Sequence, residues 1–187
     1  MKRKNLCIVI AVICLCLTTG VFANFGLREL TYNDEILDRY DIGMKNLIND
    51  KIESGMQIFY GDGITIQPTD LKRARAFTNT INLPGSGINY DLKFTSIGQT
   101  ITSPCLFYAT SNCTMKIYMS STIKYDPSEI IIKVVDQTTG RTIYSETEYF
   151  EEVHNILPLS LTKGHSYYIT ATSTQLPSNA ALLVMGE

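Results

Sequence analysis

The residues best suited to chemistry lie mostly in the last third of the chain. Glu146, Glu148, Glu151 and Glu152 gather around Tyr149 and Phe150, just ahead of His154. Carboxylates this close serve a cation site or the acid pair of a glycosidase, since both need carboxylates brought together. On a strand, Glu146 and Glu148 share one face. The same acids also suit a solvated edge that discourages strand pairing. His154 and His165 are the only histidines, and neither has metal-site spacing with the cysteines. His165 stands at the head of a strand candidate, where a hydrogen-bonded structural role is expected. No Gly-x-Ser-x-Gly elbow, zinc-helix motif or phosphate loop occurs. The calcium-loop spacing is absent too, and Asp62, Asp126 and Asp136 read as turn residues. No catalytic residue, metal ligand or cofactor is assigned from these patterns.

Cys105 and Cys113 are the cysteines that remain once a leader is discounted, and an even pair in an oxidising compartment reads as a disulfide. Leu106 to Asn112 between them reads as a strand and a polar turn, so the expected bridge staples a hairpin. Closing a loop of about nine residues contributes roughly 2.5 kcal/mol in the chain-entropy model. Eleven tyrosines are the other chemical signal. Tyr118, Tyr125, Tyr144 and Tyr168 are expected to face outward, because their neighbours in alternation face inward. An exposed tyrosine offers sugars or protein surfaces an apolar face and a polar tip; its other use is cross-strand packing. These four are the candidate ligand-binding residues.

The N-terminus reads Met1-Lys2-Arg3-Lys4, an apolar run from Leu6 to Leu17, then Thr18-Thr19-Gly20-Val21-Phe22-Ala23. A positive start, an apolar middle and a small-residue exit make a secretory signal, with cleavage expected after Ala23. The other reading is a retained anchor, since the run approaches the length of a membrane span. The whole chain has 187 residues, 16 basic and 18 acidic, and a formal charge of −2. The leader carries three of the bases and no acid, so its loss takes the charge to −5. A mildly acidic exported chain has no electrostatic case for nucleic acid. Lys72-Arg73-Ala74-Arg75 is the one dense basic stretch and reads as a solvated turn.

The elements that must position these residues divide into a helical front and a strand-rich body. Over residues 31–56, Leu37, Tyr40, Met44, Leu47, Ile48, Ile52 and Met56 recur at three- and four-residue intervals, with Asp38, Asp41, Lys45, Asn49 and Glu53 opposite. That is an amphipathic helix in need of a partner surface, either its own domain or another protein. Gly43 can split it. After Gly61-Asp62-Gly63, turn residues return about every ten positions. Strands are expected at 63–67, 76–82, 88–96, 99–102, 104–109, 113–121, 129–136, 141–149, 155–161, 165–173 and 180–185. Cys113, Met115, Ile117 and Met119 alternate with Thr114, Lys116, Tyr118 and Ser120, the period of a half-buried strand. Ile130, Ile132 and Val134 form a second inward row. Ile131 and Val135 make that strand apolar on both faces, so it is central or lies under the helix. Ala180 to Met185 is too short to span a membrane and reads as a closing strand. The expected fold is mainly β, an antiparallel, jelly-roll-like β-sandwich over 61–187, behind a helical segment at 24–60 and a signal peptide at 1–23.

Two stretches, Ile132-Lys133-Val134-Val135-Asp136-Gln137-Thr138-Thr139-Gly140-Arg141-Thr142-Ile143-Tyr144 and Leu159-Ser160-Leu161-Thr162-Lys163-Gly164-His165-Ser166-Tyr167-Tyr168-Ile169-Thr170-Ala171, carry a resemblance. Together they resemble bacterial extracellular β-sandwich modules of the pre-peptidase C-terminal and carbohydrate-binding-like kind. The resemblance spans about residues 88–185 and implies an accessory or surface role rather than catalysis. The chain departs from it in its helical front and its lack of tryptophan. The expected function is therefore an exported, non-enzymatic binding or accessory protein, secreted or at the cell surface. Its ligand is expected to be a wall polymer, a polysaccharide or a protein. The alternatives are a small secreted hydrolase built on Glu146–Glu152 and a self-assembling surface subunit.

Overall fold

The computed structural model describes residues 28–29, 42–65, 77, 79–121, 128–150, 154–175 and 180–187. Alternating apolar residues decide most of its elements. Strands β1 (Arg28–Glu29), β2 (Gln57–Asp62), β3 (Asn79–Leu83), β4 (Ser86–Leu92), β5 (Thr100–Thr102) and β6 (Cys105–Ala109) come first, with helix α1 (Ile42–Glu53) between β1 and β2. Then follow β7 (Cys113–Ser121), β8 (Ser128–Asp136), β9 (Arg141–Phe150), β10 (His154–Leu161), β11 (Ser166–Ser173) and β12 (Ala180–Gly186). In β7, Met115, Ile117 and Met119 are wholly buried, and in β8 so are Ile130, Ile132 and Val134. Both inward rows are those expected from the period-2 pattern.

Two sheets face each other. The first runs β1-β2-β4-β12-β7-β10, and the second runs β3-β6-β11-β8-β9, with β5 also paired to β11. Pairing is antiparallel except for β2 with β4 and β3 with β6. The β-sandwich expected from the sequence is thus present, with two parallel pairs added. Pro104 breaks what is otherwise one strand into β5 and β6, because proline has no N–H for the ladder. Ser103 repairs the gap. Its N–H donates to the Ile169 carbonyl at 2.8 Å, and its hydroxyl accepts from the Ile169 N–H at 3.2 Å and donates to the Cys105 carbonyl at 2.9 Å.

The main core lies between the sheets, and β12 supplies Ala180, Leu182 and Val184 to it. The other residues of β12, Ala181, Leu183 and Met185, face the opposite way. There they form a second cluster with Met44 and Ile48 of α1 and Ile58 of β2, flanked by Leu47, Ile52 and Met56. The helix therefore packs on its own domain, through the face that its periodicity marks. The apolar run of β12, expected as a closing strand, belongs to a central strand buried on both faces. β8 is also internal to its sheet, as its two-faced apolarity suggested, but the helix covers the other sheet. Leu37 and Tyr40 lie outside the described residues, as do residues 1–23, expected as a signal peptide, and the basic stretch 72–75.

The strand β2 was not foreseen, because Met56 continues the helical period up to its first residue. Of the expected strand at 63–67, the described part contributes an isolated bridge, Ile64 with Thr102. Gly186 ends β12 where the chain passes from β3 to β4. A Cβ there would lie 2.7 Å from Leu83 Cβ and 3.0 Å from Pro84 Cα, so only glycine fits.

The expected disulfide is absent: Cys105 and Cys113 are free thiols. Cys105 begins β6 in the second sheet, opposite Asn79, whereas Cys113 begins β7 in the first sheet, opposite Leu161. The turn joining the strands follows Ala109, so Cys105 lies a whole strand away from it, about 13 Å at 3.3 Å per residue. A disulfide needs Cα atoms within about 7 Å. The segment is a crossing between sheets, not a hairpin.

Candidate functional site

A concavity lined wholly by described residues sits at one end of the sandwich. It lies between the β8–β9 turn of the second sheet and the end of β10 in the first. It is an open cleft of about 470 Å³, lined by Asp136, Thr139, Arg141, Thr142 and Ile143 on one side and Ser160, Thr162, His165 and Tyr167 on the other. The turn Asp136-Gln137-Thr138-Thr139-Gly140 shapes the first wall. The Asp136 Oδ1 accepts from the Thr138 N–H at 2.9 Å and the Thr139 N–H at 3.2 Å, while the Gly140 N–H closes onto the Asp136 carbonyl at 2.8 Å. Gly140 takes a positive φ of 73°, which glycine adopts without penalty.

The second wall is placed by the antiparallel pairing of β11 with β8, which sets Tyr167 opposite Asp136. His165 then arrives beside the turn, and its Nδ1 lies 2.8 Å from Asp136 Oδ2. Asp136 is 6% exposed. Burial works against its charge, but the hydrogen bonds from His165 and Thr139 outweigh it and hold the carboxyl below the ordinary aspartate range. Tyr167 is buried beneath, its ring stacked 6.4 Å from that of His165, and its hydroxyl accepts from the Thr162 N–H at 2.8 Å. Ile143 is 40% exposed and gives the cleft an apolar patch.

This pairing was missed by sequence reasoning, which took Asp136 as a turn residue and His165 as a structural histidine. Each reading is correct for its residue alone. The one available signal was that a strand ending in Asp-x-Thr-Thr-Gly and one beginning at His165 become neighbours if β8 and β11 pair.

The tyrosines singled out from alternation do not converge. Tyr118 packs under α1 against the second cluster. Tyr144 packs against the main core, and its hydroxyl bonds to Glu148. Burial first, and then Glu148, push that phenol well above its usual range. Tyr168 lies on the outer face of the second sheet, its ring 5.4 Å from that of Phe77, and burial raises its phenol too. Tyr125 lies outside the described residues.

Of the acidic cluster, Glu146 and Glu148 stand on β9, an edge strand, opposite Ile132 and Ile130. They share a face as the alternation requires. Glu151 and Glu152 lie outside the described residues. Among the described residues no three of His, Cys, Asp and Glu converge on a point that could hold a metal ion. Among them, too, no helix is long and apolar enough to cross a membrane.

Neither a protein-family model nor a curated protein matches this chain. Among solved structures it is similar to the CBM36-1 domain of a multidomain xylanase from the hindgut metagenome of Trinervitermes trinervoides, at 13% identity over 52% of this chain and 77% of that one, with a TM-score of 0.33. It is also similar to the C-terminal CBM6 of LamC from Zobellia galactanivorans, at 10% identity over 51% and 78%, TM-score 0.33. A third is the carbohydrate-binding module CBM36 in complex with calcium and xylotriose, at 12% identity over 52% and 88%, TM-score 0.33. Likenesses of this size leave function to be argued from the chain's own site.

Proposed function

We propose that the protein is a non-catalytic binding module for a saccharide chain, exported and acting at the cell surface or outside the cell, with the Asp136–His165–Arg141 cleft as its site. The observation that carries this reading is the state of the cleft's one carboxylate. Asp136 is buried and already accepts from Thr138, Thr139 and His165. A general acid or base must reach its substrate, and hydrolysis of a glycoside calls for a second carboxylate facing the first. What the cleft does present is hydroxyls from Thr139, Thr142, Ser160 and Thr162, the guanidinium of Arg141 and the exposed side chain of Ile143. A sugar ring has the matching chemistry, hydroxyls at its rim and C–H groups on its faces. The exported setting rests on the leader at residues 1–23.

Co-sedimentation with purified cell wall and a panel of insoluble polysaccharides tests the proposal. Specific pelleting that falls about tenfold in Arg141→Ala, with Tyr168→Ala unaffected, supports the cleft. Loss in Tyr168→Ala alone moves the ligand to the outer face of the second sheet. No pelleting with any polymer rejects a saccharide ligand and leaves a protein partner.

A further inference from the structure

We infer that the ligand of this cleft carries an anionic group, a uronate carboxylate or a sulfate ester, received by the guanidinium of Arg141. The inference rests on the cleft being a saccharide site, and it follows from counting which polar atoms the walls still have to offer.

The cleft's one carboxylate and two hydroxyls beside it are already engaged inside the protein. Both oxygens of Asp136 are occupied. Thr138 Oγ1 accepts from the Ser166 N–H at 3.0 Å, and the Tyr167 hydroxyl accepts from the Thr162 N–H. An ionised carboxylate can only accept, so the hydrogen between Asp136 and His165 sits on Nδ1 of the ring. That contact engages the aspartate inside the protein, and Nε2, the other nitrogen of the neutral ring, is an acceptor and adds no donor to the cleft.

The donors remain. Arg141 opens β9 directly across from Asp136 in the strand register and is exposed. Among the described residues it has no ion-pair partner. Its guanidinium has five N–H donors and no acceptor, in a fork that matches a carboxylate or sulfate. Asp136, the other side chain of fixed charge lining the cleft, already has a partner in His165, so Arg141 is the one charged side chain there with none. A neutral sugar hydroxyl needs an acceptor for its hydrogen about as often as it needs a donor. A carboxylate or sulfate needs donors only, and the Arg141 fork supplies them with a positive charge, with the wall hydroxyls able to donate beside it.

The test measures binding of the whole protein to three soluble oligosaccharides by calorimetry: an oligogalacturonate, its carboxyl-reduced neutral counterpart, and a sulfated galactan oligosaccharide. At least one of the two anionic probes should bind ten times or more tightly than the neutral one, and the preference should shrink as sodium chloride is raised. Arg141→Gln should bring anionic and neutral probes to parity without loss of fold, checked by circular dichroism. Preference for the oligogalacturonate identifies a uronate, and preference for the galactan a sulfate. Equal or tighter binding of the neutral probe, unchanged in Arg141→Gln, overturns the anionic ligand while leaving the saccharide site standing. Failure of all three probes, together with the polymer panel, removes both.

Discussion

Asp136 and His165, 29 residues apart in the chain, meet at 2.8 Å and tie the turn between β8 and β9 to the residue just before β11. The contact is electrostatic and is placed where the aspartate is almost fully buried, so it stabilises the fold as well as shaping the cleft. The carboxyl is held below the ordinary aspartate range, so its contribution is complete above the unfolded value near 4 and is lost as pH falls through the lower folded value. Urea midpoints measured between pH 6 and pH 2.5 should fall along this limb. Asp136→Asn should remove that part of the dependence and cost about 2 kcal/mol at neutral pH, the usual size for a hydrogen bond to a charged group. An unchanged midpoint in Asp136→Asn at pH 7 would mean that the pair does not support the turn.

Glu187 is a second charged junction. Its carboxylate lies 2.6 Å from Lys51 Nζ on the helix and 2.5 Å from Lys116 Nζ on β7. Lys116 first, and then Lys51, depress its carboxyl, so this contribution too is present above the unfolded value and disappears as pH falls through the folded one. The three side chains are partly solvated, which limits their worth. Glu187→Gln should lower stability by about 1 kcal/mol or less, and the difference should fade in 1 M salt. A loss that is indifferent to salt would assign the effect to packing.

The helix itself is held by shape rather than charge. Ile48 is wholly buried on α1 against the outer side of β12, in the cluster that contains Leu183. Ile48→Ala and Leu183→Ala should each cost about 2–5 kcal/mol in chemical denaturation, the range for aliphatic truncation in a packed core. Ile42→Ala, on the same helix but 78% exposed, should change stability by less than about 0.5 kcal/mol. If the two buried variants behaved like Ile42→Ala, the helix would not be docked in solution.

Much of this architecture was legible in the residues. Alternation placed β7 and β8 and named their inward rows, because a strand with one buried face must repeat every two residues. Helical period named Met44, Leu47, Ile48 and Ile52 before any partner surface was known. Which surface they meet was not legible, since it depends on strand order, and strand order is a property of pairs distant in sequence. The cleft was hidden for the same reason. Asp136 and His165 are unremarkable in their own segments, and only the pairing of β8 with β11 makes them neighbours. The outward, exposed placement expected of the tyrosines did not hold: Tyr144 faces the main core, and Tyr118 and Tyr168, though turned away from it, pack toward the helix and Phe77.

The cysteines show a case in which the sequence already held the answer. In a tight hairpin the residue facing Cys113 is Ala109, beside the turn, while Cys105 lies at the far end of its strand. Even parity and an expected export signal could not override that spacing. Both thiols should therefore be free and differ in reactivity. Cys105 is wholly buried, and burial pushes its thiol far above the ordinary range. Cys113 is partly exposed, and burial raises its thiol to a lesser degree. Alkylation of the purified, unreduced protein in denaturant, read by intact mass, should add two iodoacetamide groups to these cysteines. In native buffer near neutral pH, Cys113 should label slowly and Cys105 hardly at all, with peptide mapping to separate the sites. Cys113→Ser should leave the free energy of unfolding within about 0.5 kcal/mol, because no cross-link is lost. A mass unchanged by alkylation in denaturant, restored to reactivity by reductant, would show that a disulfide forms and that β6 and β7 are arranged differently from the fold described here.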